Sequence, residues 1–207
     1  MTIQRIKISN TGENMNAALD LTEKTAKSMG LSSRDTMRLR LLAEEMMSMV
    51  RAITGSFTAE YWLEHEGSSC KLVLSAKSDL DYGKRSEFLS VSTTGKNTAK
   101  VGLMEKIRGI FEAGLYGMEQ SFAAQAEYGV GMYSAGMMGA VDAGMTEAIY
   151  SWSMQKYRSD IENSKTENPD AWDELEKSII ANIADEVNVG VRRDSVELIV
   201  RKKFGGR

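Results

Sequence analysis

Alternating apolar positions predict a short first strand and two β-hairpins. Ile6 and Ile8 alternate with polar neighbours in IQRIKIS, which is typical of a strand with one buried face. Two longer alternating runs occupy residues 57–77 and are joined through the turn-like sequence HEGSS. A second pair of runs, joined through RRDS, occupies residues 186–204. The chain therefore contains two hairpins that are far apart in sequence.

Apolar residues at helical spacing predict helices before each hairpin. The spacing over residues 15–29 predicts one helix, and Ser32 with Asp35 has the spacing of a capping box that starts a second helix, ending near Gly55. Pro169 suits a first helical turn, so a third helix is expected to run through WDELEKSIIANIADE. This order predicts an α/β fold, a two-layer α+β sandwich in which these helices cover one face of a mixed or antiparallel sheet.

A long section between the hairpins, residues 103–157, is expected to be helical. Seven glycines lie between Gly114 and Gly144, although each costs about 1 kcal/mol relative to alanine inside a helix. Close approach of two backbones would explain them. The section is interpreted either as a tightly packed helical hairpin or as a Gly/Ala/Met-rich surface for a protein partner or a second copy.

Composition excludes several classes of function. The 207 residues carry 26 basic and 29 acidic side chains, so nothing favours binding to nucleic acid or to an anionic membrane. Cys70 is the only cysteine and His65 the only histidine, which excludes an internal disulfide and a two-histidine metal centre. The N-terminus has no signal-peptide core and no apolar run is long enough to span a bilayer. These features predict a cytoplasmic protein.

The run LLAEEMMSMVRAI, Leu41 to Ile53, places two acidic residues on a mostly apolar helix. Its buried stripe is predicted to consist of Leu42, Met46, Met49, Val50 and Ile53. Glu44 falls on the opposite side, four residues after Arg40, where an ion pair is expected. Glu45 lies three residues after Leu42 and four before Met49, at the edge of the buried face. A carboxylate there needs water, a cation or hydrogen bonds, which makes Glu45 a candidate site residue.

The order of elements and the sequence LLAEEMMSMV resemble the GHKL superfamily of ATPases, which has the Bergerat fold. The similarity covers residues 1 to about 80 and about 170 to 204, and the last helix and hairpin are similar to those of small anti-sigma-factor serine kinases. In the family's E-x-x-x-N motif, Glu45 takes the place of the acid that activates a water or hydroxyl. Met49 takes the place of the asparagine that holds magnesium. The resemblance implies one domain over residues 1–207, in which residues 84–168 form the lid region with a helical insertion.

The remaining nucleotide motifs depart from the family pattern. In the second motif, D-x-G-x-G, Ser78 stands at the place of the adenine-binding acid. A literal D-x-G occurs three residues later, at Asp81 and Gly83, but Arg85 replaces its second glycine. A strand bulge could restore part of this offset.

The glycine-rich phosphate loop of the family would fall in STTGKNTAKVGLMEKI, residues 92–107. Gly95, Lys96, Asn97 and Gly102 could bind an anion there, since they combine backbone amides and a cation ahead of a helix N-terminus. The alternative is an ordinary capped turn.

Two functions from different classes follow from the resemblance. One is an ATP-dependent protein serine kinase or ATPase of the anti-sigma-factor type that uses Glu45 as its base. The other is a regulatory protein that keeps the scaffold, with ATP or ADP as its ligand, and has impaired magnesium-dependent chemistry. A thioether at Met49 is a poor ligand for magnesium, which prefers oxygen, and this favours the regulatory protein.

The interface hypothesis for the middle section predicts a result for Gly139→Leu. Gly131, Ala135, Gly139 and Ala143 recur every four positions, so on a helix they form a shallow groove that another backbone can enter. A leucine would fill the groove, and light scattering should show loss of the larger species while circular dichroism shows a retained fold. A wild type that is monomeric at high micromolar concentration, with a mutant that unfolds, would contradict the hypothesis.

Overall fold

The computed structural model describes residues 3–53, 58–77, 103–116, 150–163, 169–191 and 195–205. None of the helices in these ranges combines the length and apolar character needed to cross a membrane. The described elements, in chain order, are β1 (Ile6–Ser9), α1 (Met15–Ser28), α2 (Ser33–Ala52), β2 (Thr58–Glu66), β3 (Ser69–Lys77), α3 (Leu103–Tyr116), β4 (Tyr150–Ser153), α4 (Met154–Asn163), α5 (Pro169–Lys177), α6 (Ile179–Ile183), β5 (Glu186–Val191) and β6 (Ser195–Lys203).

The six described strands form one sheet in the order β1-β2-β3-β6-β5-β4, and every neighbouring pair is antiparallel. Both hairpins predicted from the alternating runs are confirmed. The hairpins join through β3 and β6, which pair continuously from Ser69 opposite Lys203 to Lys77 opposite Ser195. Gly67, at φ 55°, opens the two-residue turn of the first hairpin, where glycine suits a type II′ turn.

The helices cover one face of this sheet. The strand residues that face the helices belong to one buried cluster with apolar side chains from all six described helices. These strand residues are Ile8, Ala59, Tyr61, Leu63, Cys70, Leu72, Leu74, Ala76, Trp152, Val187, Val189, Val196, Leu198 and Val200. On the other face, Trp62, Val73 and Ile199 form a separate small cluster. The predicted α/β class, with helices on one face of an antiparallel sheet, is therefore confirmed.

The section predicted as helical over residues 103–157 contains a strand. Residues 103–116 and 154–157 are helical, but Tyr150–Ser153 form β4 at the edge of the sheet. Trp152 is buried there opposite Val189, because the alternation in YSWS sends its ring to the core face. The glycine-rich part of the section, residues 117–149, lies outside the described residues, as does Gly55, where the second helix was expected to end.

The helix predicted through WDELEKSIIANIADE is divided in two. Helix α5 ends at Lys177. Ser178 has an extended backbone conformation and is the N-cap of α6, where its side-chain hydroxyl accepts from the Ala181 N–H at 3.4 Å. The Asn182 amide donates to the Glu176 carbonyl at 2.6 Å and satisfies one of the terminal acceptors of α5. The short helix turns Ile180 and Ala181 into the core. Side-chain hydrogen bonds at the break thus replace those that a continuous helix would make.

A buried hydrogen bond ties α1 to the sheet. The hydroxyls of Thr22 and Tyr61 are 2.8 Å apart, and both side chains are fully buried. Thr22 donates its one proton to the Ala18 carbonyl at 2.8 Å, so the Tyr61 phenol is the donor to Thr22. Burial raises the pKa of Tyr61, which keeps this donor protonated.

Removing the acceptor and removing the donor of this hydrogen bond should lower the free energy of unfolding by different amounts. Thr22→Val leaves the Tyr61 phenol buried without an acceptor and should lower the free energy of unfolding by about 1–3 kcal/mol. Tyr61→Phe leaves the Thr22 hydroxyl bonded to Ala18 and should cost nearer 1 kcal/mol. Urea unfolding of both variants and of the double variant measures the difference. If Tyr61→Phe lowers the free energy of unfolding more than Thr22→Val does, the Tyr61 phenol does not depend on Thr22 as its acceptor.

Candidate functional site

Helix α2 carries the candidate site, and Ser32, at the predicted position, is its N-cap. The Ser32 hydroxyl accepts from the Asp35 N–H at 3.1 Å and donates to the Asp35 carboxylate at 2.8 Å. The rotation of α2 against the core confirms the predicted stripe, since its members are all buried: Leu42, Met46, Met49, Val50 and Ile53. The position of every other residue of LLAEEMMSMV follows from that rotation.

Glu44 is held in an ion-pair network on the outer side of α2. The Arg40 guanidinium donates to Glu44 from Nε at 2.8 Å and also pairs with Glu23 on α1. Hydrogen bonds to Glu23 and Glu44 raise the pKa of Arg40. The expected pairing of Glu44 with Arg40 is confirmed, and Glu44 therefore has an ordinary structural role.

Glu45 is the adjacent carboxylate and has a different environment. It is partly buried, and no other described residue hydrogen-bonds or ion-pairs with it. Desolvation, and secondarily the negative charge of Glu44, raise the pKa of Glu45 above its ordinary value of 4.5. A partly buried carboxylate with a raised pKa, and with no partner among the described residues, is a candidate general base.

Met49 lies one helical turn after Glu45 and belongs to the core. Its side chain is only 3% exposed and lies in the same buried cluster as Met15, Met46 and Met47. A buried thioether offers neither the oxygen nor the water access that magnesium coordination needs. The residue at the place of the family's metal-binding asparagine therefore does not fit magnesium.

The other candidate ligand residues are outside the described part of the chain. They are Ser78, Asp81, Gly83, Gly95, Lys96, Asn97 and Gly102. Their roles in binding the adenine ring or an anion stay predictions. The candidate site is thus described only on α2, where Glu45 and Met49 share one helix.

Lys106, which is partly buried, was not predicted from the sequence as a candidate site residue. Lys106 on α3 places its ammonium 4.3 Å from the ring centroid of Tyr157 on α4, and the Tyr157 ring centroid is 6.0 Å from that of Trp152. Burial lowers the pKa of Lys106 to about 8. Desolvation, and secondarily the charge of Glu174 on α5, raise the pKa of Tyr157.

A spacing signal could have identified Lys106. It lies three residues after the buried Leu103 and four before the buried Ile110, which is the spacing of Glu45 between Leu42 and Met49. A charged residue at such an edge is partly desolvated by its own helix. The same criterion therefore selects both residues from the sequence.

Other chemistry is not supported in the described residues. They contain no group of three His, Cys, Asp or Glu side chains that could hold a metal ion. Burial raises the pKa of the Cys70 thiol to about 12, so it has no thiolate character at neutral pH. Glu45 and Lys106 are described charged groups whose pKa values are shifted mainly by burial.

No family model, curated protein or solved structure matches this chain. The resemblance to the GHKL superfamily therefore depends on the element order and the LLAEEMMSMV motif.

Glu45→Gln should raise stability in a pH-dependent way. Because the folded-state pKa of Glu45 is raised, its stabilising contribution exists at low pH and is lost as pH rises through that pKa. At pH 7 the uncharged glutamine side chain should therefore add about 0.5 kcal/mol, a value reduced for solvent screening, or about 1–2 °C in Tm. Below the ordinary pKa of 4.5 the two proteins should melt together.

Glu44→Gln is the matched control for this measurement. It removes the same charge from the preceding residue but also breaks the pair with Arg40, so it should not stabilise the protein. An equal gain from both substitutions would mean that overall charge, rather than the burial of Glu45, causes the effect.

Proposed function

We propose that this is a cytoplasmic regulatory protein on a histidine kinase-like ATPase scaffold, which binds ATP or ADP without magnesium-dependent chemistry. The observation that carries the proposal is the burial of Met49. It stands where the family's magnesium ligand is expected, and its thioether is packed into the core. A protein with this helix would keep nucleotide binding as a signal while losing metal-assisted phosphoryl transfer.

The architecture supports the scaffold half of this proposal. A strand, two helices and a hairpin lead the chain, and a helical segment and a second hairpin close it. Helix α2 lies in the helical layer between α1 and α3 and also contacts α6. This is the element order on which the family resemblance was based. It supports the scaffold without assigning a ligand.

The alternative is an active serine kinase or ATPase, and Glu45 favours it. Its carboxylate is partly buried and has a raised pKa, and no described residue pairs with it. A general base with these properties could accept a proton from water or from a substrate hydroxyl. Without a metal ligand at Met49, however, the charge of the triphosphate would have to be neutralised by other groups.

Nucleotide-induced thermal stabilisation separates the two functions. ATP and ADP are titrated against the full chain, once with magnesium and once with excess chelator. Binding at 100 times Kd adds about 2.7 kcal/mol, which corresponds to about 5–10 °C in Tm. The regulatory function predicts the same shift with and without magnesium. No shift with either nucleotide would contradict nucleotide binding altogether.

Phosphate release provides the second arm of the experiment. The regulatory protein should show no turnover above background with magnesium and ATP. Turnover that disappears in Glu45→Gln and persists in Glu44→Gln would instead establish the enzyme, with Glu45 as its base. The two variants differ by one position on α2, and only Glu44 has an ion-pair partner among the described residues.

A further inference from the structure

The outer surface of α2 carries a small apolar ridge. Met37 is 64% exposed, which is the largest exposure of a large apolar side chain among the described residues. Leu41 follows one turn later on the same side of the helix and is partly exposed. The buried stripe of α2 faces the sheet on the opposite side. A ridge of this size is ordinary on a monomer, so its significance depends on the charges beside it.

Two side chains of opposite charge lie on one flank of this ridge. Arg38 and Glu45 are about two turns apart, so they share a side of α2 but are too distant to pair within one chain. Arg38 donates to the Asp35 carboxylate at 3.2 Å, and a guanidinium has further N–H donors. Glu45 is partly buried, and no described residue hydrogen-bonds or ion-pairs with it. One chain therefore contains both halves of an ion pair that it does not form.

We propose that two copies of this chain pair through antiparallel α2 helices, so that Arg38 of each copy reaches Glu45 of the other. A two-fold axis that crosses α2 between Leu41 and Leu42 places Arg38 opposite Glu45, because the two residues are equally far from that point. The same axis brings the two Leu41 side chains together and directs Met37 toward the small side chain of Ser48. The surface is thus complementary to itself in charge and in shape, as a two-fold interface requires.

The second copy supplies what Glu45 lacks. A partly desolvated carboxylate is stabilised by a cation, and a guanidinium matches its geometry. In the dimer the group considered above as a general base is held in an ion pair, so dimerisation competes with any role of Glu45 as a base. The dimer forms without nucleotide and is therefore independent of the proposed nucleotide binding. It also uses a surface different from the glycine-rich section.

Charge reversal tests which residues meet across the interface. Sedimentation of the full chain without nucleotide should show a monomer–dimer equilibrium in the micromolar range. Glu45→Arg and Arg38→Glu each replace two attractive contacts by repulsive ones, so each should weaken dimerisation by about tenfold or more. Met37→Lys changes an exposed side chain, leaves the core intact and should also weaken the dimer.

A mixture of the two charge variants gives the decisive measurement. Opposite charges meet at both sites when Glu45→Arg pairs with Arg38→Glu, so native mass spectrometry should show a heterodimer about as stable as the wild-type dimer. Glu66→Arg is the matched control, since it makes the same charge change at an exposed position on strand β2. It should leave the wild-type equilibrium unchanged and should not form such a heterodimer with Arg38→Glu.

Several results would overturn this interface. A wild type that stays monomeric throughout the micromolar range excludes it. A dimer that persists in Glu45→Arg, Arg38→Glu and Met37→Lys would have to use another surface. Circular dichroism shows whether each variant is folded, and folded charge variants that form no heterodimer when mixed would show that Arg38 and Glu45 do not meet.

Discussion

The pairing of β3 with β6 is the constraint on which the rest of this structure depends. These two strands come from hairpins that are far apart in sequence, and they pair without interruption over nine positions, from Ser69–Lys203 to Lys77–Ser195. Their inward side chains, including Leu72, Leu74, Leu198 and Val200, form the centre of the buried face. Each two-stranded hairpin alone would be marginally stable, whereas the joined sheet provides a surface wide enough for a helical layer. The register of this pair also sets which residues face the helices, because a slip by one position would exchange the two faces.

The helical layer then decides which charged residues become chemically unusual. Helices α2 and α3 pack beside each other on the inner face, and each buries a regular apolar stripe. Glu45 and Lys106 lie at the edges of those stripes, where burial disfavours the charged form. It raises the pKa of the acid and lowers that of the base. Charged residues on α1 and α2 that have partners behave differently. Arg40 on α2 forms ion pairs with Glu44 on the same helix and with Glu23 on α1.

Met49 connects the packing of this layer to the proposed function. Met49 lies on the buried stripe of α2, one turn after Glu45, which lies at the edge of the same stripe. The family resemblance places a polar metal ligand at that position, which requires the stripe to open toward solvent. In this chain methionine fills it and extends the core. A buried methionine here supplies no oxygen ligand for magnesium, and the proposed regulatory function rests on this.

The sequence by itself determined the local features of this protein. The alternation that defines both hairpins, the Ser32 N-cap and the buried stripe of α2 all depend on residues close to one another in sequence, and all are confirmed. Glu45 could be singled out for the same reason. Tertiary structure alone decided the strand order, the edge strand containing Trp152, the helix break at Ser178 and the placement of Lys106 against Tyr157. Each of these depends on a partner distant in sequence or on how a segment is seated against the core. Local periodicity describes which side of an element is apolar, and it contains no information about which distant surface that side will meet.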